Sequence, residues 1–302
     1  MRRQFSFLMG SVCIKGDKTM KHLTFSFVLA ILLSGCATIK QPAYDTLIAH
    51  RGESIDAPEN TLPAFKTAVD RGFGFECDIY LSADKKLFTF HDSNLKRTTG
   101  GKHSEKCVDA SWVDTISKIN VGGWGKWKGS KFDPTTPALL EDVLKLARDG
   151  RFIYVEVKGN NPSWVPYIKE VFAKQSNATP KNTLFISFGD DVCAELKRQM
   201  PEYRVYWLTD GKKRQAAKSG SRIFSADEII AILKKLGVDG VDMRFNPQTV
   251  DAQFIKKIHD AGFMFHVWTI DNLKNAELAF ERGAETVTTN RAKGLLEEFQ
   301  SK

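Results

Sequence analysis

The 302-residue chain carries no CxxC pair, no cysteine–histidine set with zinc spacing, and no repeat or low-complexity tract. Structural zinc modules are thereby excluded. No glycine-rich phosphate fingerprint follows its first β-rich run, which argues against an open doubly wound nucleotide-binding sheet. The apolar stretch near the amino terminus, Leu23 to Leu33, has eleven residues, whereas crossing a bilayer core of about 30 Å takes roughly 20. A clustered basic surface is missing as well. The formal charge is +8, but five of the 44 basic residues and one of the 36 acidic ones precede Cys36, which leaves 39 against 35. That scattered surplus suits an enzyme surface and speaks against nucleic-acid binding.

What is present begins with a leader. Lys21 precedes the apolar stretch and Leu33-Ser34-Gly35-Cys36 closes it, a pattern that resembles the lipobox of bacterial lipoprotein precursors. The resemblance implies a cleaved signal over residues 1–35, a lipidated Cys36 and a short tether over residues 36–46. A start at Met20 would make residues 1–19 an artefact or a long charged lead-in. Two or more acyl chains, each contributing about 0.8 kcal/mol per buried CH₂, would anchor the protein without spanning the membrane. In such precursors an aspartate after the cysteine favours inner-membrane retention. Ala37 therefore points to the outer membrane of a bacterial envelope, facing the periplasm. The competing reading is a plain secretory signal with a chance cysteine. Cys77, Cys107 and Cys193 remain in the mature chain, an odd number that permits at most one internal disulfide, and buried free thiols are the expected state.

Beyond the tether, β-rich runs over residues 47–50, 75–81, 152–157, 184–187, 204–208, 240–243, 264–269 and 286–289 alternate with amphipathic stretches. Helices fit Leu62 to Arg71 before Gly72, Leu139 to Arg148 before Gly150, and Gln248 to Ala261 before Gly262. Eight βα units in roughly 250 residues have the dimensions of an α/β (β/α)8 TIM barrel, here over residues 47–302. An added strand over residues 87–90 is expected to pair back on residues 78–82. After the second strand comes an inserted segment, residues 99–136, glycine-rich and carrying Trp112, Trp124 and Trp127. Long insertions in compact domains tend to be functional. Either these rings lie over the barrel mouth, with Trp124 the first candidate for substrate contact, or they fill a satellite core.

The chemistry-bearing residues fall at strand ends. A strand points residues i and i+2 to one face, so Glu76 and Asp78 converge while Cys77 points away. Glu156 ends its own strand with Lys158 on the same face. Three carboxylates suit a hard divalent cation, magnesium or calcium rather than zinc. His50 and His91 are assigned as a general acid/base pair, because imidazole titrates near neutrality. Arg51 offers a guanidinium fork for a phosphate oxygen, Glu59 could orient it or an imidazole, and Trp268 could contact substrate or simply pack the barrel. The remaining mature-chain histidines, His103, His259 and His266, are read as loop, surface and barrel residues.

Taken in order, His50-Arg51-Gly52, Ala57-Pro58-Glu59-Asn60-Thr61, Glu76-x-Asp78, His91-Asp92, Glu156-Val157-Lys158, Trp268-Thr269 and Thr289-Asn290-Arg291 resemble the glycerophosphodiester phosphodiesterase family over residues 47 to 299. The resemblance implies metal-dependent hydrolysis of a small phosphodiester to glycerol 3-phosphate and an alcohol, with the three acids as metal ligands. Two departures stand out. The family's last strand commonly ends in Thr-Asp-x-Pro, whereas this chain has Thr289-Asn290-Arg291-Ala292, with Asn290 expected to cap the next helix. Gly189 stands where an acidic or amide residue is frequent. Two other functions fit the same residues: a lysophospholipase D-like or C-like phosphodiesterase, should the aromatic insertion form an apolar channel, or a non-catalytic ligand-binding surface lipoprotein.

Overall fold

Short runs rich in β-branched and aromatic residues become the staves of a closed barrel. The computed structural model describes residues 45–213 and 222–301; the expected signal, Cys36 and most of the tether lie outside the described residues. In chain order the elements are β1 (Leu47–Ala49), α1 (Leu62–Asp70), β2 (Gly74–Leu81), β3 (Leu87–Thr89), α2 (Leu140–Leu144), β4 (Ile153–Val157), α3 (Val165–Ala173), β5 (Thr183–Ser187) and α4 (Asp190–Gln199). They continue with β6 (Arg204–Thr209), β7 (Lys212–Lys213), β8 (Arg222–Ile223), α5 (Ala226–Leu236), β9 (Gly240–Arg244), α6 (Ala252–Asp260), β10 (Met264–Trp268), α7 (Leu273–Glu281), β11 (Val287–Thr289) and α8 (Ala292–Gln300).

Strands β1, β2, β4, β5, β6, β9, β10 and β11 pair in parallel in that order, and β1 pairs with both β2 and β11, which closes the ring. The expected TIM barrel is the observed fold. The added strand forms β3, antiparallel to β2 with Ile79 opposite Thr89 and Leu81 opposite Leu87. Side-chain alternation divides the apolar residues into two bodies. Phe75, Cys77 and Ile79 join the layer between barrel and helices, while Ile48, Tyr154, Leu184, Ile186, Tyr206 and Leu208 fill the interior. Cys77, Cys107 and Cys193 are buried and unbridged.

Local chemistry sets the helix limits. Ser225 and Glu228 form a reciprocal capping box at the start of α5, and Gly237 ends it at φ +67°. Two helices differ from their expected extents. The stretch from Leu139 stops as helix at Leu144 because Arg148 and Arg151 pair across Asp149-Gly150, a dipeptide suited to a tight turn, with Gly150 at φ +71°. The stretch from Gln248 becomes helical only at Ala252, where Asp251 accepts a hydrogen bond from Phe254 N and so defines the cap.

The insertion is tied to the β2–β3 turn by one carboxylate. Asp84 accepts from Ser82 Oγ at 2.7 Å, Trp112 N at 2.7 Å, Val113 N at 3.1 Å and Ser111 Oγ at 3.2 Å. Those donors outweigh the opposing effect of burial and hold its pKa below the usual carboxylate range. Asp84→Ala should therefore lower stability by roughly 2 kcal/mol in urea unfolding, from several hydrogen bonds of about 1 kcal/mol each offset by water. A carboxyl whose folded pKa is depressed contributes fully above its unfolded pKa and loses that contribution on acidification. The gap between wild type and variant should accordingly narrow below about pH 4; a gap independent of pH would contradict this account.

Candidate active site

The β1–α1 loop begins where the barrel seam ends. His50 N donates to Thr289 O at 2.8 Å, so the last strand fixes the backbone of the first histidine. Arg51 follows at φ +58° and Gly52 at φ +76°. A Cβ on Gly52 would lie 2.5 Å from the Ala64 carbonyl carbon, so only glycine lets the loop pass this close to α1. The turn brings Arg51 N to within 2.9 Å of Glu76 Oε2 and its Nε to within 3.4 Å of Asp78 Oδ2.

Glu76 and Asp78 on β2 and Glu156 on β4 offer carboxylate oxygens that all lie within 4.8 Å of one another, and all three residues are buried. Asp78 and Glu156 are register partners across the two strands. Lys158 Nζ bridges them, 2.6 Å from Asp78 Oδ1 and 2.7 Å from Glu156 Oε1. Asn60, at φ +55°, donates from Nδ2 to Asp78 Oδ2 at 2.6 Å and accepts from Asp78 N at 3.0 Å.

Charge decides how each acid behaves. Burial alone would raise the Asp78 pKa, but Lys158 and Arg51 outweigh it and hold the group well below the usual carboxylate range. Glu76 goes the other way: burial, then repulsion from Asp78 and Glu156, lifts it well above that range. Glu156 is pushed to about 7, with burial the leading cause and Lys158 opposing it. Three carboxylates thus face two cations, and Glu76 Oε1 is buried with no hydrogen-bond partner. An orphaned oxygen and two glutamates that favour protons for want of nearby positive charge, in an all-oxygen donor set, fit a hard divalent cation.

Two imidazoles face the same cavity, which has a volume of about 290 Å³ and is lined by His50, Arg51, Glu76, His91, Glu156, Lys158, Asp242 and Trp268 among others. His50 Nε2 lies 3.9 Å from Glu76 Oε2. Its Nδ1 is 2.7 Å from Asn290 Oδ1, and Asn290 Nδ2 donates to Asp271 Oδ2 at 2.6 Å. That second bond orients the amide, so His50 Nδ1 carries the proton and Nε2 the lone pair. Burial, and next the Arg51 charge, lower the His50 pKa to about 4. His91 Nδ1 is 2.8 Å from Asp92 Oδ1. Burial lowers its pKa too, against the pull of Asp78.

The structure gathers His50, Arg51, Glu76, Asp78, His91, Glu156, Lys158 and Trp268 at the carboxyl ends of the strands, the face where barrel sites form. Glu59 stands behind them, accepting from Arg51 Nη1 at 3.0 Å and from Arg97 at 2.7 and 2.8 Å. Trp124 is not among the lining residues; its ring packs under the Arg97 guanidinium at 5.0 Å. Trp112 packs on Phe88 against the core and Trp127 on the half-buried Phe132, and neither ring lines the cavity. Asn290 does not cap α8, whose cap position is Arg291; its side chain instead holds His50. At Gly189 a Cβ would lie 2.5 Å from Gly159 O, which excludes any side chain there.

Three residues at or behind the site, Asn60, Arg97 and Asp242, had no role assigned from sequence, and Asn290 was read only as a helix cap. Asn60 sits within a quoted motif, and its tolerance of positive φ is a usable sign. Arg97 grips both Glu59 and Asp92 from 38 and 5 residues away, with no sequence pattern to mark it. The role of Asn290 depends on barrel closure. Asp242 was concealed in an apolar strand.

A parallel barrel with paired carboxylates, cations and imidazoles at its carboxyl-end mouth defines a class, the metal-assisted hydrolases of anionic esters. A profile of the Glycerophosphoryl diester phosphodiesterase family matches residues 50–293, and the chain belongs to that family of divalent-metal enzymes. Among its relatives, mouse Glycerophosphodiester phosphodiesterase 1 is 26% identical over 242 residues, covering 74% of this chain and 71% of the relative. A glycerophosphodiester phosphodiesterase of Caldanaerobacter subterraneus is 31% identical over 163 residues, covering 53% of this chain and 64% of the relative. In fold, the chain is similar to an Oleispira antarctica phosphodiesterase solved with the product sn-glycerol-3-phosphate, at TM-score 0.69 and 22% identity, with 85% and 97% of the two chains covered.

Because the acids compete for too little positive charge, a divalent ion should raise the melting temperature. Ion at a hundredfold its Kd would add about 2.7 kcal/mol of stability, and Glu76→Gln should remove most of that gain. Calorimetry showing no metal-linked shift in the wild-type protein would refute the site.

Proposed function

We propose that the chain hydrolyses glycerophosphodiesters to glycerol 3-phosphate and an alcohol. The observation that supports this best is the convergence of three buried carboxylates and two imidazoles on one cavity. A divalent cation, magnesium or calcium, held by Glu76, Asp78 and Glu156 would supply electrostatic stabilisation to the phosphoryl oxygens. Arg51 and Lys158 add fixed positive charge, and Glu59 keeps the Arg51 guanidinium aimed inward. His50, neutral with its Nε2 lone pair free, takes the proton from the nucleophile. His91, in the imidazolium form that Asp78 and Asp92 favour against burial, gives its Nε2 proton to the departing alkoxide. Trp268, with Ile186, Phe188 and Leu208, forms an apolar wall for the organic part of the substrate. A lysolipid-cleaving activity would have drawn support from an aromatic channel, and the insertion's tryptophans provide none.

For the cell, the reading is an enzyme attached to the outer membrane through lipid on Cys36 and facing the periplasm, supported by the lipobox-like sequence. Cys36→Ser should move the protein from the membrane fraction to the soluble fraction; a variant still sedimenting with membranes would contradict the anchor.

Release of glycerol 3-phosphate from glycerophosphocholine should require the metal and vanish with EDTA. His50→Ala and His91→Ala should each lower kcat by about 10²- to 10⁴-fold while KM changes little. Faster turnover of lysophosphatidylcholine, or undiminished activity in either variant, would overturn the assignment.

A further inference from the structure

Asp242 is the charged residue of the cavity lining to which no part has been assigned. It projects inward from β9, four strands from β2 in either direction around the ring, and so faces the acidic trio across the barrel. Its register partners are Leu208 on β6 and His266 on β10. The residue is 1% exposed, and its Oδ1 is buried with no hydrogen-bond partner. Trp268 Nε1 donates to the backbone carbonyl of Asp242 at 3.2 Å and so does not serve Oδ1.

Its surroundings make that carboxyl conspicuous. The wall it shares is built from Ile186, Phe188, Leu208 and Trp268. An unpaired polar atom on an apolar wall weakens the fold and would be replaced at a gain by an aliphatic side chain, unless a ligand supplies the partner. His266 cannot act as that ligand-facing group. It lies outside the cavity lining, and its Nδ1 is engaged by Tyr154 Oη at 2.6 Å and by Thr286 Oγ1.

We propose that Asp242 is a specificity-determining residue which hydrogen-bonds a hydroxyl of the substrate's organic moiety, so that the cavity selects a polyol phosphate over an alkyl phosphate of equal length. This rests on the hydrolytic reading above and extends it to the opposite wall. The phosphate is drawn to the side of Arg51 and Lys158, and the carbon chain reaches across a space of about 290 Å³. A hydroxyl suits the site in either protonation state of Asp242, because it can donate to a carboxylate or accept from a carboxylic acid. A neighbouring apolar group would instead leave Oδ1 unsatisfied, which is how buried polar groups reject the wrong ligand.

The test compares binding of sn-glycerol 3-phosphate and n-propyl phosphate by calorimetry, on the whole metal-loaded protein, with glycerophosphocholine turnover measured in parallel. Wild type should prefer the glyceryl ligand by roughly 10- to 100-fold. Asp242→Asn should retain most of that preference, and Asp242→Leu should reduce it to within about threefold. The leucine variant should melt no lower than wild type, since it removes an orphaned polar atom. A wild-type protein without the preference, or an Asp242→Leu protein that keeps it, overturns the assignment. So does a leucine variant that melts lower and binds both ligands equally weakly, because that is the signature of a structural carboxyl. Preference without any turnover would refute the hydrolytic reading and leave Asp242 as a polyol-binding group. Turnover without preference would refute Asp242 alone.

Discussion

Three carboxylates confined within 4.8 Å in a buried rim are the constraint on which the rest of this architecture turns. Each buried ion carries a desolvation penalty of several kcal/mol unless it is paired, and like charges this close raise one another's affinity for protons. The fold answers with Lys158 two residues beyond Glu156, with Arg51 delivered by a left-handed loop, and with Asn60 clamped on Asp78. These compensate Asp78 fully and the two glutamates only in part. The residual imbalance is what a site built to take up a divalent cation would carry.

Barrel geometry then separates chemistry from recognition. β1, β2 and β4 turn charged side chains to the cavity, whereas β5, β6 and β10 present Ile186, Leu208 and Trp268. The partition follows from strand order, since neighbouring staves contribute neighbouring sectors of the rim. Behind the charged sector lies a second tier of ion pairs, Glu59, Arg97 and Asp92, which ties the β1–α1 loop to the segment following β3. Arg97 also lies over Trp124. The insertion thus touches this second tier through one ring without entering the cavity.

Much of this was legible in the sequence because it depends on periodicity. All eight barrel strands were visible as β-rich runs, and two-residue spacing alone put Glu76 and Asp78 on one face and Cys77 on the other. What escaped was whatever depends on closure or on a single turn. Asn290 looks like a helix cap until β11 is laid beside β1, when its amide is found on His50. Asp149-Gly150 cut one helix short and Asp251 delayed another, each by a local hydrogen-bonding choice that apolar periodicity does not register. Arg97 and Asp242 carry no motif; the first is defined by partners distant in the chain, the second by an absence of partners.

The seam between β1 and β11 has an implication for biosynthesis. His50 directly follows the barrel's first strand, yet its backbone amide and its ring both lean on Thr289 and Asn290, and Lys293 N reaches back to Glu53. A nascent polypeptide that has not yet yielded β11 lacks the partners that orient this imidazole. A correctly held first histidine therefore awaits docking of the final βα unit, so chains truncated before β11 are expected to be inert rather than merely slow.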